Sequence, residues 1–123
     1  MKITAVLYVD QIEPGLPFWV DKLGMTKIVD VPEGDRLGFV ILNKGQAELM
    51  IQTRESLAKD VPALLDMAKS SPGLFIEVDD FAATLQAVEG LEVLLPVRET
   101  FYGMREIVVR EPGGNAVCFA AKI

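Results

Sequence analysis

The chain contains no histidine among its 123 residues, and this absence restricts the chemistry open to it. Histidine is the side chain whose unperturbed pKa lies nearest neutrality, and it is the commonest metal ligand in proteins. Its absence excludes Ser-His and Cys-His nucleophile pairs and most zinc or iron sites. We therefore predict a function that uses no tightly held metal and no other cofactor.

Cysteine and long apolar runs are also scarce. Cys118 is the only cysteine, so no intramolecular disulfide can form and a reducing compartment is compatible with the chain. Apolar runs fall far short of the roughly 20 residues of a membrane-spanning helix. A strand pattern begins directly after Met1-Lys2, with no signal peptide before it. These features predict a soluble, cytoplasmic protein with no membrane partner.

Positive charge is in the minority and is scattered along the chain. Twelve Lys and Arg stand against eighteen Asp and Glu, which gives a net charge of −6, and no basic run occurs. A surface of this kind disfavours contact with phosphate backbones, so we predict no nucleic acid partner. Half of the residues are hydrophobic, which is enough to build the core of one compact domain.

The apolar pattern shows the same order of elements twice. In each half an extended segment is followed by a short helical segment and then by three extended segments separated by turn residues. Gly24 and Gly90 end the two predicted helices, and Asp79-Asp80 caps the second. The predicted strands are Ile3 to Val9, Met25 to Val31, Leu37 to Leu42, Gln46 to Thr53, Leu74 to Val78, Leu91 to Arg98, Met104 to Arg110 and Asn115 to Ala121.

Apolar residues between the two halves keep a helical spacing, as Leu57, Val61 and Leu64 illustrate. Asp60 is placed to cap such a helix with Pro62 in its first turn. We predict an α+β fold in a single domain, with one βαβββ module at about residues 1–53, a helical connector at about 54–72 and a second βαβββ module at about 73–123. Landmarks such as Asp10 and Asp80 recur about seventy residues apart, as a duplication produces.

Four short segments carry a resemblance to a known family. They are Val9-Asp10, Phe18-Trp19-Val20-Asp21-Lys22-Leu23-Gly24-Met25, Tyr102-Gly103-Met104-Arg105-Glu106 and Arg110-Glu111-Pro112-Gly113-Gly114-Asn115. In this order and spacing the chain resembles the vicinal oxygen chelate superfamily, which contains glyoxalases, bleomycin-resistance proteins and extradiol dioxygenases. The resemblance implies two βαβββ modules whose sheets form an open barrel-like cleft, often within a homodimer.

Metal-dependent members of that superfamily hold a divalent ion with one ligand on the first and one on the last strand of each module. By the resemblance, these positions correspond to Ile3, Glu48, Gly73 and Cys118. Only Glu48 is an ordinary ligand for a hard cation, while two positions offer no donor and Cys118 is a soft ligand. The resemblance is therefore nearest to the metal-free bleomycin-resistance branch.

Side chains alternate across a strand, and this alternation assigns residues to the cleft. In the last strand of the first module and in the first and last strands of the second, the polar residues share the side that the resemblance assigns to the cleft. The segment that contains Tyr102 and Arg105 borders this cleft. Leu7 is predicted on the same side, as part of an apolar lining. The predicted ligand-binding residues are Leu7, Glu48, Met50, Gln52, Phe75, Glu77, Tyr102, Arg105 and Cys118.

Several of these residues allow two interpretations. Glu48 is either a desolvated carboxylate with a raised pKa, which binds a cation or acts as a base, or a carboxylate left over from a metal-binding ancestor. In the second case it is solvated or paired with an arginine. Cys118 is favoured as a small apolar residue of the pocket over a nucleophile, since no histidine can activate it. Trp19 is favoured as a residue of core or interface packing over one that stacks on a ligand. Tyr102 and Arg105 either contact a ligand or form a plain hairpin turn.

These features favour a metal-independent binding protein, similar to bleomycin-resistance proteins, that sequesters a bulky aromatic or cationic compound at a homodimer cleft. The alternative is an enzyme of the superfamily, either a cofactor-free isomerase or lyase with Glu48 as base or a weak metal enzyme. A third hypothesis is an interaction or regulatory subunit whose cleft is filled by its own side chains. The sequence favours a binding protein over an enzyme.

Overall fold

A computed structural model of the protein describes residues 2–70 and 73–123. The described residues form two compact units, one on either side of the gap. The end of the predicted connector, Ser71-Pro72, lies outside the described residues. No helix in the described part of the chain is long and apolar enough to cross a membrane.

The first unit is a four-stranded mixed sheet with short helical segments. Its strands are β1 (Ala5–Val9), β2 (Thr26–Glu33), β3 (Arg36–Lys44) and β4 (Ala47–Thr53), in the order β1-β4-β3-β2. β1 runs parallel to β4, and the other neighbours are antiparallel. A 3-10 turn (Glu13–Gly15) and a π-helix (Pro17–Lys22) connect β1 to β2. Helix α1 (Arg54–Asp60) follows β4, and two 3-10 turns, Pro62–Leu64 and Met67–Lys69, follow α1.

The second unit repeats this arrangement. It consists of β5 (Leu74–Glu77), helix α2 (Phe81–Ala87), β6 (Glu92–Glu99), β7 (Met104–Arg110) and β8 (Ala116–Lys122), with the strand order β5-β8-β7-β6. β5 is parallel to β8, as β1 is to β4. The predicted α+β fold with two βαβββ modules is therefore confirmed.

The first helical segment follows from its prolines and its terminal glycine. Pro17 stands at the first helical position, where its missing N–H costs no hydrogen bond. Gly24 has φ +78°, the left-handed conformation that ends helices and that glycine adopts without strain. Trp19 is 1% exposed and meets the ring of Phe18 edge to face, with centroids 5.1 Å apart. Its prediction as a core residue is confirmed, although the segment is a π-helix.

The cap predicted for the connector helix is wrong, although the helical segments of the connector lie within the predicted range. Helix α1 begins at Arg54, where the hydroxyl of Thr53 accepts a hydrogen bond from the Ser56 N–H at 3.1 Å. Asp60 is the last residue of the helix, so it does not cap a following one. The residue before a proline is driven out of the helical region, and Val61, with φ −137° and ψ 74° before Pro62, ends α1 in this way.

Each sheet has a packed face and a face that carries carboxylates. The packed faces hold Leu7, Val9, Val40, Leu42, Leu49 and Ile51 in the first unit and Ile107, Val109, Val117 and Phe119 in the second, all less than 9% exposed. The opposite faces we call the carboxylate faces. They comprise Val6, Tyr8, Phe39, Ile41, Glu48, Met50 and Gln52 in the first unit and Phe75, Glu77, Glu106, Val108, Cys118 and Ala120 in the second.

Gly38 lies at an irregularity where β2 and β3 change register, and it is buried. A Cβ at this position would lie 2.8 Å from the Cβ of Glu33 and 3.2 Å from that of Ser56. We expect Gly38→Ala to lower the free energy of unfolding by about 1–3 kcal/mol, as overpacking does. Urea denaturation measures this change. Gly73→Ala is the matched control, because its Cβ would meet no atom of the described residues within 4 Å, and an equal loss in both variants would contradict the prediction.

Candidate functional site

Glu48 lies on the carboxylate face of the first unit with its side chain 12% exposed. Its Oε2 accepts hydrogen bonds from Lys2 Nζ and from the hydroxyl of Thr4, each at 2.9 Å. The hydrogen bond from Lys2, followed by that from Thr4, holds the pKa of Glu48 below its ordinary value. Of the two interpretations left open for Glu48, the one with a raised pKa is therefore contradicted. Glu48 is an ion-paired carboxylate, which makes it a weak base.

Leu7 does not lie with the predicted ligand-binding residues. β1 pairs with β4 so that Leu7 stands opposite Ile51, and Leu7 is 0% exposed in the core. The assignment of β1 side chains was therefore wrong by one residue. Val6 and Tyr8, opposite Met50 and Gln52, are the β1 residues on the carboxylate face.

The residues at the metal-ligand positions of the metal-dependent relatives do not fit an ion. Ile3 is 90% exposed and has no donor, and Thr4, the neighbour that reaches Glu48, supplies its hydroxyl to that carboxylate. Gly73 has no side-chain donor, and Cys118 offers only a soft sulfur ligand. Within residues 2–70 and 73–123, no three His, Cys, Asp or Glu side chains form a group that could hold a metal.

Met50 and Gln52 follow Glu48 on the same face of β4, and both are partly exposed. By register, Met50 lies between Val6 of β1 and Ile41 of β3. Gln52 Nε2 donates a hydrogen bond to Ser56 Oγ at 3.2 Å. This half of the first sheet therefore presents one amide group beside an apolar surface.

Glu106 is the centre of a polar cluster on the carboxylate face of the second unit. Its side chain is only 3% exposed. Its Oε1 accepts hydrogen bonds from Arg98 Nε at 2.8 Å and Nη2 at 2.6 Å, and its Oε2 accepts one from the Tyr102 hydroxyl at 2.8 Å. The Arg98 guanidinium is the main cause that holds the pKa of Glu106 below its ordinary value. The carboxylate is thus ionised and fully hydrogen-bonded.

Cys118 lies beside this cluster. Its Sγ is 3.7 Å from Glu106 Oε2. Burial, with the negative charge of Glu106 as the next cause, raises the pKa of the thiol to about 11. A nucleophilic cysteine needs a thiolate near neutral pH, so this environment agrees with the favoured apolar interpretation of Cys118.

The remaining predicted residues fall into two groups. Phe75 stands opposite Cys118 and Glu77 opposite Ala120 on the carboxylate face, and the Phe75 side chain is 57% exposed. The hydrogen bond to Glu106 joins Tyr102 to the same face and raises the pKa of its hydroxyl.

Arg105 does not lie on the carboxylate face with Phe75, Glu77 and Tyr102. It stands opposite Ala121 in β7, on the other face of the sheet, and its guanidinium pairs with Glu99 at 3.1 Å. Arg105 is therefore separated from the carboxylate face that carries the other predicted residues of this unit.

The sequence reasoning missed Glu106 and Arg98. Glu106 follows Arg105 directly in the Tyr102 to Glu106 segment that carries the family resemblance. Strand alternation along β7 held the usable signal, because a residue next to Arg105 must face the opposite side of the sheet. Arg98 gave no such signal, since its pairing with Glu106 depends on the register of β6 against β7.

A sequence profile of the Glyoxalase/Bleomycin resistance protein/Dioxygenase superfamily matches residues 3–119 of the chain. No curated protein shows significant similarity to the chain. Among solved structures, the bleomycin-binding protein from bleomycin-producing Streptomyces verticillus, complexed with copper(II)-bleomycin, is 28% identical. It aligns over 100% of this chain and 97% of its own, with a TM-score of 0.66.

Two further structures have similar folds at lower identity. TioX from Micromonospora sp. ML1 is 15% identical with a TM-score of 0.78, over 100% of this chain and 99% of its own. Lactoylglutathione lyase from Agrobacterium tumefaciens is 17% identical with a TM-score of 0.74, over 98% of this chain and 92% of its own. At these identities the similarity shows the fold alone.

Proposed function

The chain belongs to the glyoxalase/bleomycin resistance protein/dioxygenase superfamily, and we propose that within it the chain is a metal-independent binding protein for a bulky aromatic or cationic compound. The observation that carries the proposal is the surface around Glu106. Two aromatic side chains, Phe75 and Tyr102, are 57% and 49% exposed on this face, and the Tyr102 hydroxyl is held by the buried Glu106 carboxylate. Exposed rings of this kind are suited to stacking on a flat or cationic ligand.

The negative charge of the chain and its similarity to a bleomycin-binding protein give the proposal further support. Glu77 adds a second, partly exposed carboxylate on the same face, with Lys122 Nζ 3.9 Å away. The whole chain carries a net charge of −6, which attracts cations. The relative from Streptomyces verticillus binds copper(II)-bleomycin, and this makes copper(II)-bleomycin a reasonable first probe for the chain.

The chemistry of the side chains favours binding over the enzyme alternative. An isomerase or lyase would need a base whose pKa lies near the working pH. The pKa values of Glu48 and Glu106 are both held below the ordinary value by ion pairs, and Cys118 is protonated near neutral pH. Each group is thus poorly matched to proton abstraction, whereas binding requires no titration.

The proposal is tested by titrating the protein with copper(II)-bleomycin and with ethidium, a planar aromatic cation. We expect both probes to raise the melting temperature, since ligands that bind only the folded state stabilise it. Phe75→Ala should weaken ethidium binding about two- to thirtyfold, because a ring contact with a cation contributes roughly 0.5–2 kcal/mol. Fluorescence titration measures the affinity.

Val93→Ala is the matched control for this titration. Val93 is 50% exposed and pairs with Val109, whose side chain is on the packed face of the same sheet. The control should bind ethidium as the parent protein does. An unchanged melting temperature with both probes, or full affinity in Phe75→Ala, would remove the proposed function.

A further inference from the structure

The first unit contains a cavity of about 550 Å³ between β2 and α1, and we call it the β2–α1 cavity. Its floor is a row of side chains across three neighbouring strands. Val31 of β2 stands opposite Phe39 of β3, and Phe39 stands opposite Gln52 of β4. Val31 is 47% exposed, so the floor offers accessible apolar surface that ends at an amide.

The amide end of the floor has hydrogen-bonding capacity that the protein does not use. Gln52 Nε2 donates to Ser56 Oγ at 3.2 Å. Among the described residues, neither the Oε1 of Gln52 nor the hydroxyl hydrogen of Ser56 has a partner. An acceptor and a donor therefore stand side by side at this end of the cavity, the pair that a ligand hydroxyl group can satisfy at once.

The rim of the cavity carries an excess of negative charge. Lys59 forms an ion pair with Glu33, and this hydrogen bond raises the pKa of the Lys59 ammonium. Lys59 is therefore charged, and Glu33 balances its charge. Asp60 also lines the cavity, and its carboxylate has no ion-pair partner in the described part of the chain. The unbalanced charge that a ligand meets at the rim is the Asp60 carboxylate.

We propose that the β2–α1 cavity binds an amphipathic monoamine, with its ammonium at Asp60, its apolar body on Val31 and Phe39, and a distal hydroxyl at Gln52 and Ser56. This inference goes beyond the proposed function, because the cavity lies in the first unit and the surface around Glu106 lies in the second. Each part of such a ligand meets one of the three surfaces of the cavity. A carboxylate of the same shape would bring its negative charge against Asp60, which disfavours its binding.

Three small probes separate these contributions. Tyramine has an ammonium, a ring and a distal hydroxyl; 3-(4-hydroxyphenyl)propionate exchanges the ammonium for a carboxylate; 2-phenylethylamine lacks the hydroxyl. We expect tyramine to bind roughly tenfold more tightly than the carboxylate and about threefold more tightly than 2-phenylethylamine, as one charge-assisted and one neutral hydrogen bond contribute. Calorimetric or NMR titration of the whole chain measures these affinities.

Two variants assign the contributions to residues. Asp60→Asn should weaken tyramine binding about three- to tenfold and reduce the preference over the carboxylate probe. Ser56→Ala keeps the Ser56 N–H that the Thr53 cap uses, and it should reduce the preference for tyramine over 2-phenylethylamine, because only the Gln52 acceptor is left for the ligand hydroxyl. Asp66→Asn is the matched control, because Asp66 is a 92% exposed carboxylate of the same unit that pairs with Lys69 outside the cavity.

The outcomes distinguish this inference from the proposed function. Equal binding of tyramine and the carboxylate probe, or an equal loss in Asp60→Asn and Asp66→Asn, would overturn the monoamine assignment. If tyramine does not bind but ethidium still binds in a Phe75-dependent way, the cavity inference fails and the proposed function stands. If ethidium and copper(II)-bleomycin also fail to bind, the proposed function fails as well. Melting temperatures of the variants identify any loss that comes from misfolding.

Discussion

Leu7→Ala should lower the free energy of unfolding by about 2–5 kcal/mol, because it removes a large apolar side chain from a closed core and leaves a cavity behind. Leu7 is 0% exposed and stands opposite Ile51, which is 3% exposed. The loss comes from the apolar contacts and from the limited ability of the surrounding sheet to collapse into the space. Urea denaturation at neutral pH measures the change.

Met50→Ala is the matched control for this prediction. Met50 lies on the neighbouring strand but on the carboxylate face, where it is partly exposed. Its truncation should cost about 1 kcal/mol or less, since water already reaches part of the side chain. If the two variants are equally stable, the register of β1 against β4 is not the one described. Leu7→Ala should also leave the ethidium affinity of the folded protein unchanged, as expected of a core residue.

The fold could largely be predicted because its signals are local. The alternation of polar and apolar residues in β4 predicts that Glu48, Met50 and Gln52 lie opposite the packed face. In the structure they lie on the carboxylate face. The cap of α2 was also readable, since Asp80 Oδ1 accepts a hydrogen bond from the Ala83 N–H at 2.9 Å. Such features depend on residues close in sequence.

Features that depend on pairing between distant segments were harder to predict. The side of β1 that faces the core follows from its parallel pairing with β4, more than forty residues away, and the periodicity of a five-residue strand does not reveal it. Glu106 is buried beneath hydrogen bonds from Arg98 and Tyr102, and its pairing with Arg98 depends on the register of β6 against β7. The homodimer and the cytoplasmic location stay predictions, and light scattering would test the first against the 13.5 kDa mass of one chain.

Cys118 should react with iodoacetamide at pH 8 roughly ten- to hundredfold more slowly than glutathione does. The pKa of its thiol is raised from 9.0 to about 11 by burial and then by Glu106. Only the thiolate reacts, and its fraction at pH 8 falls about tenfold for each unit of pKa, while a more basic thiolate is somewhat more nucleophilic. Because Cys118 is the only cysteine, mass spectrometry of the intact chain measures the rate directly.

A substitution at Glu106 tests the cause of the raised thiol pKa independently. Glu106→Gln removes the negative charge 3.7 Å from the sulfur and leaves Arg98 nearby, so the thiolate becomes less unfavourable. We expect alkylation at pH 8 to accelerate about three- to tenfold, and the pH at which the rate levels off to fall below the value of about 11 for the parent protein. Burial is the larger cause of the shift, so the rate should still lie below that of glutathione.

Glu99→Gln is the control for this substitution, because Glu99 is 62% exposed and pairs with Arg105 on the other face of the sheet. Its alkylation rate should match that of the parent protein. A parent rate that levels off near pH 9 would show that Cys118 is not the buried neighbour of an ionised Glu106. Since Glu106 also holds the Tyr102 hydroxyl, the same result would contradict the described arrangement of the proposed binding surface.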